Sequence, residues 1–338
     1  MLSYRLLFFP AMLCACALLI ALLWGRAAGL HNADLLGDYF QVSPLAAVLV
    51  FLLWCGLPFL RPSEYRGLPP SQAAVDMLRA RWPLLLFPFF LSPLFNFSYT
   101  VAKSSIPYLY GFHWEAFWAG LDQRLFGTDP WRLTHAFIGP GATRILSICY
   151  TIVWGGLFVF SGPVLNFFAP VETALRFHIA RMITWFFGGA LAAALFASAG
   201  PVFAQFGDPQ LGGRYLPLLQ SLATLLPSND MILESQAYLR ETYGNYEVFR
   251  AGGISAMPSM HVATAALYVC VAWGSRWQWP TLAFWAVIWV SSVHFGYHYA
   301  TDGLGGSLIA WLAWKAAAPA KAGLVIPTPD LQPSPVFS

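Results

Sequence analysis

Long apolar stretches alternate with shorter polar segments along the chain, and most of these stretches are long enough to form membrane-spanning helices. A helix that crosses the hydrocarbon core of a bilayer needs about 17–25 mostly apolar residues. The pattern indicates eight spans, at approximately 6–24, 42–60, 83–101, 145–168, 180–199, 261–275, 281–297 and 304–318. The sequence therefore predicts an all-α polytopic membrane protein with about eight transmembrane helices.

Composition and charge support this class and predict an orientation. Of the 338 residues, 58% are hydrophobic and 10% are charged, whereas soluble domains carry roughly 25% charged residues. If both termini are cytoplasmic, ten of the 18 Lys and Arg residues but only four of the 15 Asp and Glu residues fall on the cytoplasmic side, as the positive-inside rule expects. The net charge of +3 therefore reflects topology and gives no support for nucleic-acid binding. We expect a bacterial inner membrane protein.

The first apolar run is also compatible with a signal peptide, because one Arg precedes it and small residues follow it. Its apolar core exceeds the usual 7–15 residues of a signal peptide, so we prefer a retained anchor. Residues 1–81 then form two N-terminal spans and a cytoplasmic loop, residues 82–318 contain the other six spans, and the proline-containing segment 319–338 forms a disordered tail.

Two polar segments on the non-cytoplasmic side are longer than simple connections. In segment 102–143, aromatic residues recur at near-helical spacing beside charged residues, a combination typical of the membrane interface. In segment 200–257, a helix cap at residues 228–230 and a stop at Gly244 predict a helix around 231–243. A long loop with structure of its own is often a lid or a binding element.

Two histidines and an aspartate are predicted to meet at the non-cytoplasmic face. His261 starts an inward span, His298 follows the returning span, and Asp302 comes four residues later. An aspartate entering an apolar span is costly unless it is paired, and the i, i+4 spacing allows it to pair with His298. A carboxylate that orients an imidazole makes it a nucleophile or base, and a second histidine could protonate a leaving oxygen. The pattern suits phosphoryl transfer without a metal or other cofactor.

A phosphate group also needs hydrogen-bond donors and positive charge. Ser259 can cap the helix that begins near residue 260 or donate to a phosphate oxygen, and the N-terminus of that helix favours an anion. Arg250 is the main candidate cation and Lys103 a further one. His294 could complete a His-His-Asp stripe that binds a metal, but we prefer a packing role for it and predict no metal site.

At these residues the sequence resembles the type 2 phosphatidic acid phosphatase superfamily. "PSMH" at 258–261 is similar to the Pro-Ser-Gly-His motif of that superfamily, and "HYATD" at 298–302 is similar to its His-x-x-x-Asp motif. Met260 in place of Gly, "HYATDGLGG" and "LDQRLFGTDP" at 121–130 resemble the branch that contains inositol phosphorylceramide synthase. The resemblance covers roughly residues 100–318.

The resemblance implies a six-helix catalytic core in which His298 is the nucleophile and forms a phosphohistidine, Asp302 is its partner and His261 is the general acid. It implies cleavage of a phospholipid donor and transfer of its phosphoryl headgroup to a lipid alcohol acceptor. A lipid phosphate phosphatase, with water as acceptor, and a transporter for lipid phosphates are the alternatives. The superfamily's Lys-x6-Arg-Pro motif is not recognisable, and Ser291-Ser292 replaces an expected Ser-Arg pair. These departures favour a transferase. The sequence makes no prediction about oligomeric state.

Overall fold

The computed structural model describes residues 5–30, 35–62, 65–248 and 252–318, and within these ranges the chain folds into helices without a β-strand. In chain order the α-helices are α1 (Arg5–Ala27), α2 (Leu35–Gly56), α3 (Pro70–Leu86), α4 (Ser92–Tyr110), α5 (Glu115–Phe126), α6 (Pro130–Phe137), α7 (Pro140–Ile148), α8 (Trp154–Phe168), α9 (Val171–Ile183), α10 (Ala193–Leu195), α11 (Pro209–Leu225), α12 (Met231–Gly244), α13 (Met260–Ala272), α14 (Gln278–His294) and α15 (Ala300–Ala316). Stretches of π-helix at Phe87–Leu91, Cys149–Val153 and Thr184–Ala192 connect α3 to α4, α7 to α8 and α9 to α10. The predicted all-α class is confirmed for the described residues.

Several helical runs are long and apolar enough to cross a membrane. Among the described residues there are five, Leu7–Ala27, Leu35–Gly56, Pro70–Tyr110, Pro140–Phe168 and Val171–Leu195, and they overlap the first five predicted spans. Helices α13, α14 and α15 overlap the last three predicted spans, but they have 13, 17 and 17 residues, fewer than the roughly 20 that match a bilayer. The protein is an integral membrane protein, and the count of eight crossings stays a prediction.

The third helical run begins earlier than the predicted span 83–101. Arg79 and Arg81 lower the hydropathy of α3, so this part of the chain resembles a loop in the sequence. In the structure Arg81 is buried, and its guanidinium donates to the carbonyl oxygens of Asn166 and Ala169 at 2.9 and 2.7 Å. These acceptors lie at the C-terminal end of α8, where helices leave carbonyl groups unpaired. The predicted domain boundary after residue 81 therefore falls inside a continuous helix.

The first long polar segment is shorter than predicted at both ends. Helix α4 continues to Tyr110 and ends at Gly111, whose φ of +62° favours glycine. Helix α7 begins at Pro140. The connection therefore spans residues 111–139 instead of 102–143, and it contains α5 and α6.

The second long polar segment is largely helical. The predicted helix around 231–243 is confirmed as α12, and the Asp230 carboxylate caps it by accepting a hydrogen bond from the Ile232 N–H at 2.9 Å. A longer helix, α11, precedes it and was not predicted. The predicted tail at 319–338 lies outside the described residues.

Helix α13 lies at the centre of the part of the fold that carries the "PSMH" and "HYATD" motifs, and it packs against α14, α15, α9 and α8. Most of its side chains are buried. Helix α15 approaches α13 closely because Gly306 has no side chain: a Cβ atom there would overlap the Ser259 carbonyl oxygen. The first turns of α13 and α15, with His261 and Asp302, are therefore neighbours.

The two N-terminal helices pack on the rest of the bundle. Helix α1 lies along α4, while α2 contacts both α4 and α8. The hydroxyl groups of Tyr39 on α2 and Thr100 on α4 are hydrogen-bonded at 2.7 Å. The other side of α2 exposes apolar side chains, including Leu45 and Leu49, as expected for a surface in contact with lipid. Helix α2 therefore forms a side wall of the bundle.

Candidate active site

His298 lies in the short connection between α14 and α15, and a backbone carbonyl group orients its side chain. The imidazole Nδ1 is 2.8 Å from the carbonyl oxygen of Ala256. Because a carbonyl oxygen can only accept a hydrogen bond, Nδ1 carries the proton and Nε2 keeps its lone pair. Burial lowers the pKa of His298 to about 3, despite the hydrogen bond to Ala256. The imidazole is therefore neutral at physiological pH, with a nucleophilic nitrogen free.

Asp302 supports this arrangement from the first turn of α15. Its Oδ2 atom is 3.5 Å from the Nδ1 of His298 and accepts a hydrogen bond from the Tyr299 N–H at 2.9 Å. The carboxylate is fully buried. The sequence assigned the orientation of His298 to this carboxylate alone, whereas in the structure the shorter contact of Nδ1 is with the Ala256 carbonyl oxygen. Asp302 lies beside that hydrogen bond, and burial together with the nearby Asp122 raises the pKa of the Asp302 carboxyl group well above its ordinary value.

His261 faces His298 from the first turn of α13. The two ring centroids are 6.5 Å apart. The His261 ring is stacked between Tyr150, at 4.5 Å, and Trp154, at 3.9 Å, and the Trp154 indole N–H donates to the His261 carbonyl oxygen at 3.1 Å. Tyr150 belongs to the π-helical stretch that precedes α8, and π-bulges of this kind are frequent at functional sites. The π-helix brings both aromatic rings against one imidazole.

Both histidines line a cavity of about 380 Å³, which is within the usual size range of small-molecule sites. Lys103 of α4 and Tyr150 also line it, and the buried Tyr150 hydroxyl has no hydrogen-bond partner among the described residues. Helix α12 contributes Ser235 to the wall, and the Ser235 hydroxyl is hydrogen-bonded to that of Tyr297. Segment 200–257, predicted to be a lid or a binding element, thus contributes to the cavity wall.

Of the three predicted phosphate-binding residues, Lys103 lines the cavity, Ser259 caps a helix and Arg250 is not described. Lys103 is half-buried and shares the cavity with both histidines. Ser259 is fully buried, and its Oγ accepts a hydrogen bond from the Val262 N–H at 3.5 Å. This is the geometry of a helix cap, and the phosphate-binding role of Ser259 stays a prediction. Arg250 lies outside the described residues.

His294 is directed away from His261 and His298. Its two ring nitrogens are hydrogen-bonded to the hydroxyl groups of Thr134 and Thr143, at 3.1 and 3.0 Å. The alternative stripe of His294, His298 and Asp302 is therefore not formed. Across residues 5–30, 35–62, 65–248 and 252–318, no group of three His, Cys, Asp or Glu side chains is arranged to hold a metal ion.

The chain is similar to a known protein family. A family model described as the PAP2 superfamily matches residues 119–316, which is more than half of the chain. The chain belongs to the PAP2 superfamily. Curated proteins and solved structures give no significant match. Membership of the PAP2 superfamily supports a phosphatase-type membrane enzyme that acts on lipid phosphates. The match includes His261, His298 and Asp302, whereas Lys103 precedes it.

A carboxylate in the PAP2 match holds the catalytic helix α15, and the sequence did not reveal this role. Asp122 is buried in α5 and accepts hydrogen bonds from the backbone N–H groups of Ala300, at 2.6 Å, and Thr301, at 3.1 Å. Burial raises the pKa of Asp122, and the two backbone hydrogen bonds oppose that shift. These N–H groups belong to the first turn of α15, which has no partners for them within the helix. Asp122 therefore fixes the start of the helix that carries Asp302.

Glu115, just before the PAP2 match, is a second buried carboxylate that the sequence did not single out. It accepts hydrogen bonds from the N–H groups of Ala199 and Gly200, at 2.5 and 3.1 Å, and from the Tyr299 hydroxyl, at 2.6 Å. Burial raises the pKa of Glu115 to about 7. The segment at residues 198–200 in turn accepts the Ala256 N–H through the Ser198 carbonyl oxygen at 2.8 Å. Glu115 thus links Tyr299, the residue after His298, to the segment that holds Ala256, the hydrogen-bond partner of His298.

The assembled PAP2 site has the groups that phosphoryl transfer requires. A neutral imidazole with a free nitrogen faces a second imidazole across a gap that can hold a phosphoryl group. The N-terminus of α13 and the Lys103 ammonium supply positive potential. By contrast, the N-terminus of α15 is already occupied by the carboxylates of Asp122 and Asp302, so it is not open to a substrate anion.

Proposed function

We propose that the protein is a lipid phosphotransferase that works through a phosphohistidine on His298. It cleaves the phosphoester of a phospholipid donor and transfers the phosphoryl headgroup to a lipid alcohol acceptor. The active site lies at the non-cytoplasmic face, and both termini are cytoplasmic. Hydrolysis, with water in place of the lipid alcohol, is the competing reaction.

The observation that carries the proposal is the state of the His298 imidazole. Its Nδ1 proton is held by the Ala256 carbonyl oxygen at 2.8 Å, and the ring lines the same cavity as His261. A nucleophile is effective when its lone pair is free and its orientation is set in advance. The PAP2 superfamily match supports phosphoester chemistry at this position.

The reaction has two balanced steps. First, the His298 Nε2 attacks phosphorus, the bond from phosphorus to the diacylglycerol oxygen breaks, and protonated His261 gives its proton to that oxygen. Second, the acceptor hydroxyl gives its proton to His261 while its oxygen attacks phosphorus. The phosphorus–nitrogen bond then breaks and restores neutral His298. The Asp302 carboxylate stabilises the positive charge that His298 gains in the first step.

Lys103 is the cation that we assign to the phosphate. It lies in the cavity with both histidines, and a compact ammonium is a suitable point charge for a phosphate oxygen. Lys103→Met keeps most of the length of the side chain and removes the charge. We expect kcat/KM for the phospholipid donor to fall by about tenfold to a hundredfold, which corresponds to a charged hydrogen bond of about 1.5–3 kcal/mol.

The donor headgroup is the more specific part of the proposal. The "LDQRLFGTDP" and "HYATDGLGG" segments resemble the branch that contains inositol phosphorylceramide synthase. This resemblance favours a donor with an inositol or glycerol phosphate headgroup and a ceramide or diacylglycerol acceptor.

The proposal is tested with purified protein, a phosphate-labelled phospholipid mixture, ceramide and diacylglycerol, with separation of all labelled products. Wild-type protein is expected to form a new labelled lipid, and His298→Ala, His261→Ala and Asp302→Asn are expected to lose this activity. A covalent intermediate trapped on wild type should be labile in acid and stable in base, as phosphoramidates are. His113→Ala is the matched control, because His113 is exposed and does not line the cavity.

The outcomes separate the candidate reactions. Label found only in inorganic phosphate or a soluble phosphoester would make the protein a hydrolase. Equal product from wild type and a well-folded His298→Ala variant would remove His298 from the chemistry, and a transporter that only binds lipid phosphates would then be the better hypothesis.

A further inference from the structure

A second cavity, of about 370 Å³, adjoins the catalytic cavity inside the helical bundle. The two cavities share six lining residues, which are Tyr99, Lys103, Trp154, Gly155, Met260 and His261. His261 therefore belongs to both. The remaining walls come mainly from α2, α4, α8 and α9. We call this space the lateral chamber, and we define it by Val42, Ser43, Asn96, Phe158 and Arg181.

The lateral chamber lies between helices that cross the membrane. Helices α2, α4, α8 and α9 all belong to runs that are long and apolar enough to span it. The outer surfaces of two of these helices expose large apolar side chains, among them Leu45 on α2 and Leu157 on α8. Helix α2 precedes the PAP2 match. The chamber thus adds, beside the histidines, a space at the depth of the lipid chains.

Arg181 gives this space a specific chemistry. It lies near the middle of the apolar run Val171–Leu195, where an unpaired charge is costly unless it faces a partner or a polar cavity. Its Nη1 donates to the Phe158 carbonyl oxygen at 3.2 Å, and its guanidinium lies over the Phe158 ring at 4.8 Å. The part of the chain that the structure describes shows no carboxylate paired with it. A guanidinium has five N–H donors, and within the described residues one of them, on Nη1, has an acceptor, so the others are open to a ligand.

These observations favour a neutral lipid with several oxygen acceptors as the ligand of the chamber. The phosphate must in any case reach His298, which lines only the catalytic cavity. A lipid alcohol has no charged headgroup, and its ester or amide oxygens are suitable acceptors for a guanidinium.

We infer that the lateral chamber binds the lipid alcohol acceptor, with Arg181 donating hydrogen bonds to its ester or amide oxygens and its hydroxyl directed at His261. This inference rests on the proposed function, because the acceptor hydroxyl attacks the phosphohistidine. Its oxygen bonds to phosphorus, its proton passes to His261, and the phosphorus–nitrogen bond to His298 breaks.

The test uses a diacylglycerol with a diazirine in one acyl chain, photolysed with the full-length protein in lipid nanodiscs. Mass spectrometry locates the adducts. We expect adducts on the chamber faces of α2, α4 and α8. Val42→Trp fills the chamber and is expected to lower adduct formation at least fivefold. Leu45→Trp, on the exposed side of the same helix, is the matched control and should leave it unchanged.

Variants of Arg181 and competing lipids test whether adduct formation reflects specific binding in the chamber. Arg181→Met is expected to lower adduct formation several-fold, and Arg181→Lys should restore part of it because a positive donor returns. Unlabelled diacylglycerol should compete, whereas phosphatidylcholine at the same concentration should not. Equal competition by phosphatidylcholine, or equal adduct yields in wild type and Val42→Trp, would overturn the inference.

His298→Ala separates this inference from the proposed function. Binding of the acceptor needs no phosphohistidine, so this variant is expected to form the adducts as wild type does while it makes no labelled product. Adducts in the chamber of a wild-type protein that transfers no phosphoryl group would leave the lipid site standing and refute the proposed function.

Discussion

Replacement of Asp122 tests whether one carboxylate positions the catalytic helix. Asp122→Ala leaves the N–H groups of Ala300 and Thr301 without the acceptors that now lie at 2.6 and 3.1 Å. Each orphaned buried donor costs about 1–3 kcal/mol. Removal of the repulsion between Asp122 and the nearby Asp302 carboxylate offsets part of this cost. We therefore expect the free energy of unfolding of Asp122→Ala to be about 3 kcal/mol lower than that of wild type.

The assay is thermal unfolding of the purified protein in detergent, followed by size-exclusion fluorescence. With a shift of about 2–4 °C per kcal/mol, the melting temperature of Asp122→Ala should fall by about 6–12 °C. Asp122→Asn keeps one acceptor and places an NH2 group against the other donor, so we expect an intermediate loss. Turnover should fall at least tenfold in both variants, because a displacement of α15 that raises the activation free energy by about 1.4 kcal/mol has that effect.

Gln123→Ala is the control, because Gln123 is the exposed neighbour of Asp122 on α5. Its melting temperature and turnover should match those of wild type. The reasoning would be refuted by an Asp122→Ala variant that melts within about 1 °C of Gln123→Ala, because a buried double cap cannot be removed without cost.

Two further predictions concern the support of the site. The pKa of Glu115 is raised from 4.5 to about 7, so its contribution to stability is complete below about pH 4.5 and is lost as the pH rises through 7, by an amount on the order of 3 kcal/mol. Melting curves between pH 5 and 8 should therefore fall more steeply for wild type than for Glu115→Gln, and parallel curves would contradict this. Gly306→Ala should lower the melting temperature and turnover, with a cost of about 1–3 kcal/mol, because the new Cβ atom meets the Ser259 carbonyl oxygen. Gly213→Ala in α11, where a Cβ atom meets nothing within 4 Å, should be neutral or slightly stabilising.

Hydropathy predicted where helices occur but not where they end. The apolar stretches correspond to helical runs because backbone groups in a membrane must be paired within the helix. The start of α3 was missed because Arg81 is a polar residue in the sequence and a buried cap of α8 in the structure. The predicted span 180–199 likewise puts Arg181 at its edge, although Arg181 lies well within the apolar run Val171–Leu195. Mean hydropathy does not show which charged side chains are buried and hydrogen-bonded within the helical bundle.

In the candidate site, too, the sequence predicted some residues and missed others. His261, His298 and Asp302 could be proposed from local spacing and from the order of the spans, and the structure brings all three together. The roles of Glu115 and Asp122 depend on backbone groups far along the chain, such as Gly200 and Ala300. No local periodicity encodes such contacts, even though Asp122 lies in a motif that the sequence resemblance had highlighted.

The hydrogen bond from His298 to the Ala256 carbonyl oxygen has a consequence for how the enzyme tolerates mutation. A side-chain partner can be lost through a single codon change, but every amino acid at position 256 supplies the same carbonyl group. The tautomer of His298 therefore depends on the path of the main chain and not on the identity of a side chain. Natural variation at position 256 should then be restricted by size alone, since the Ala256 methyl group is fully buried close to Gly200.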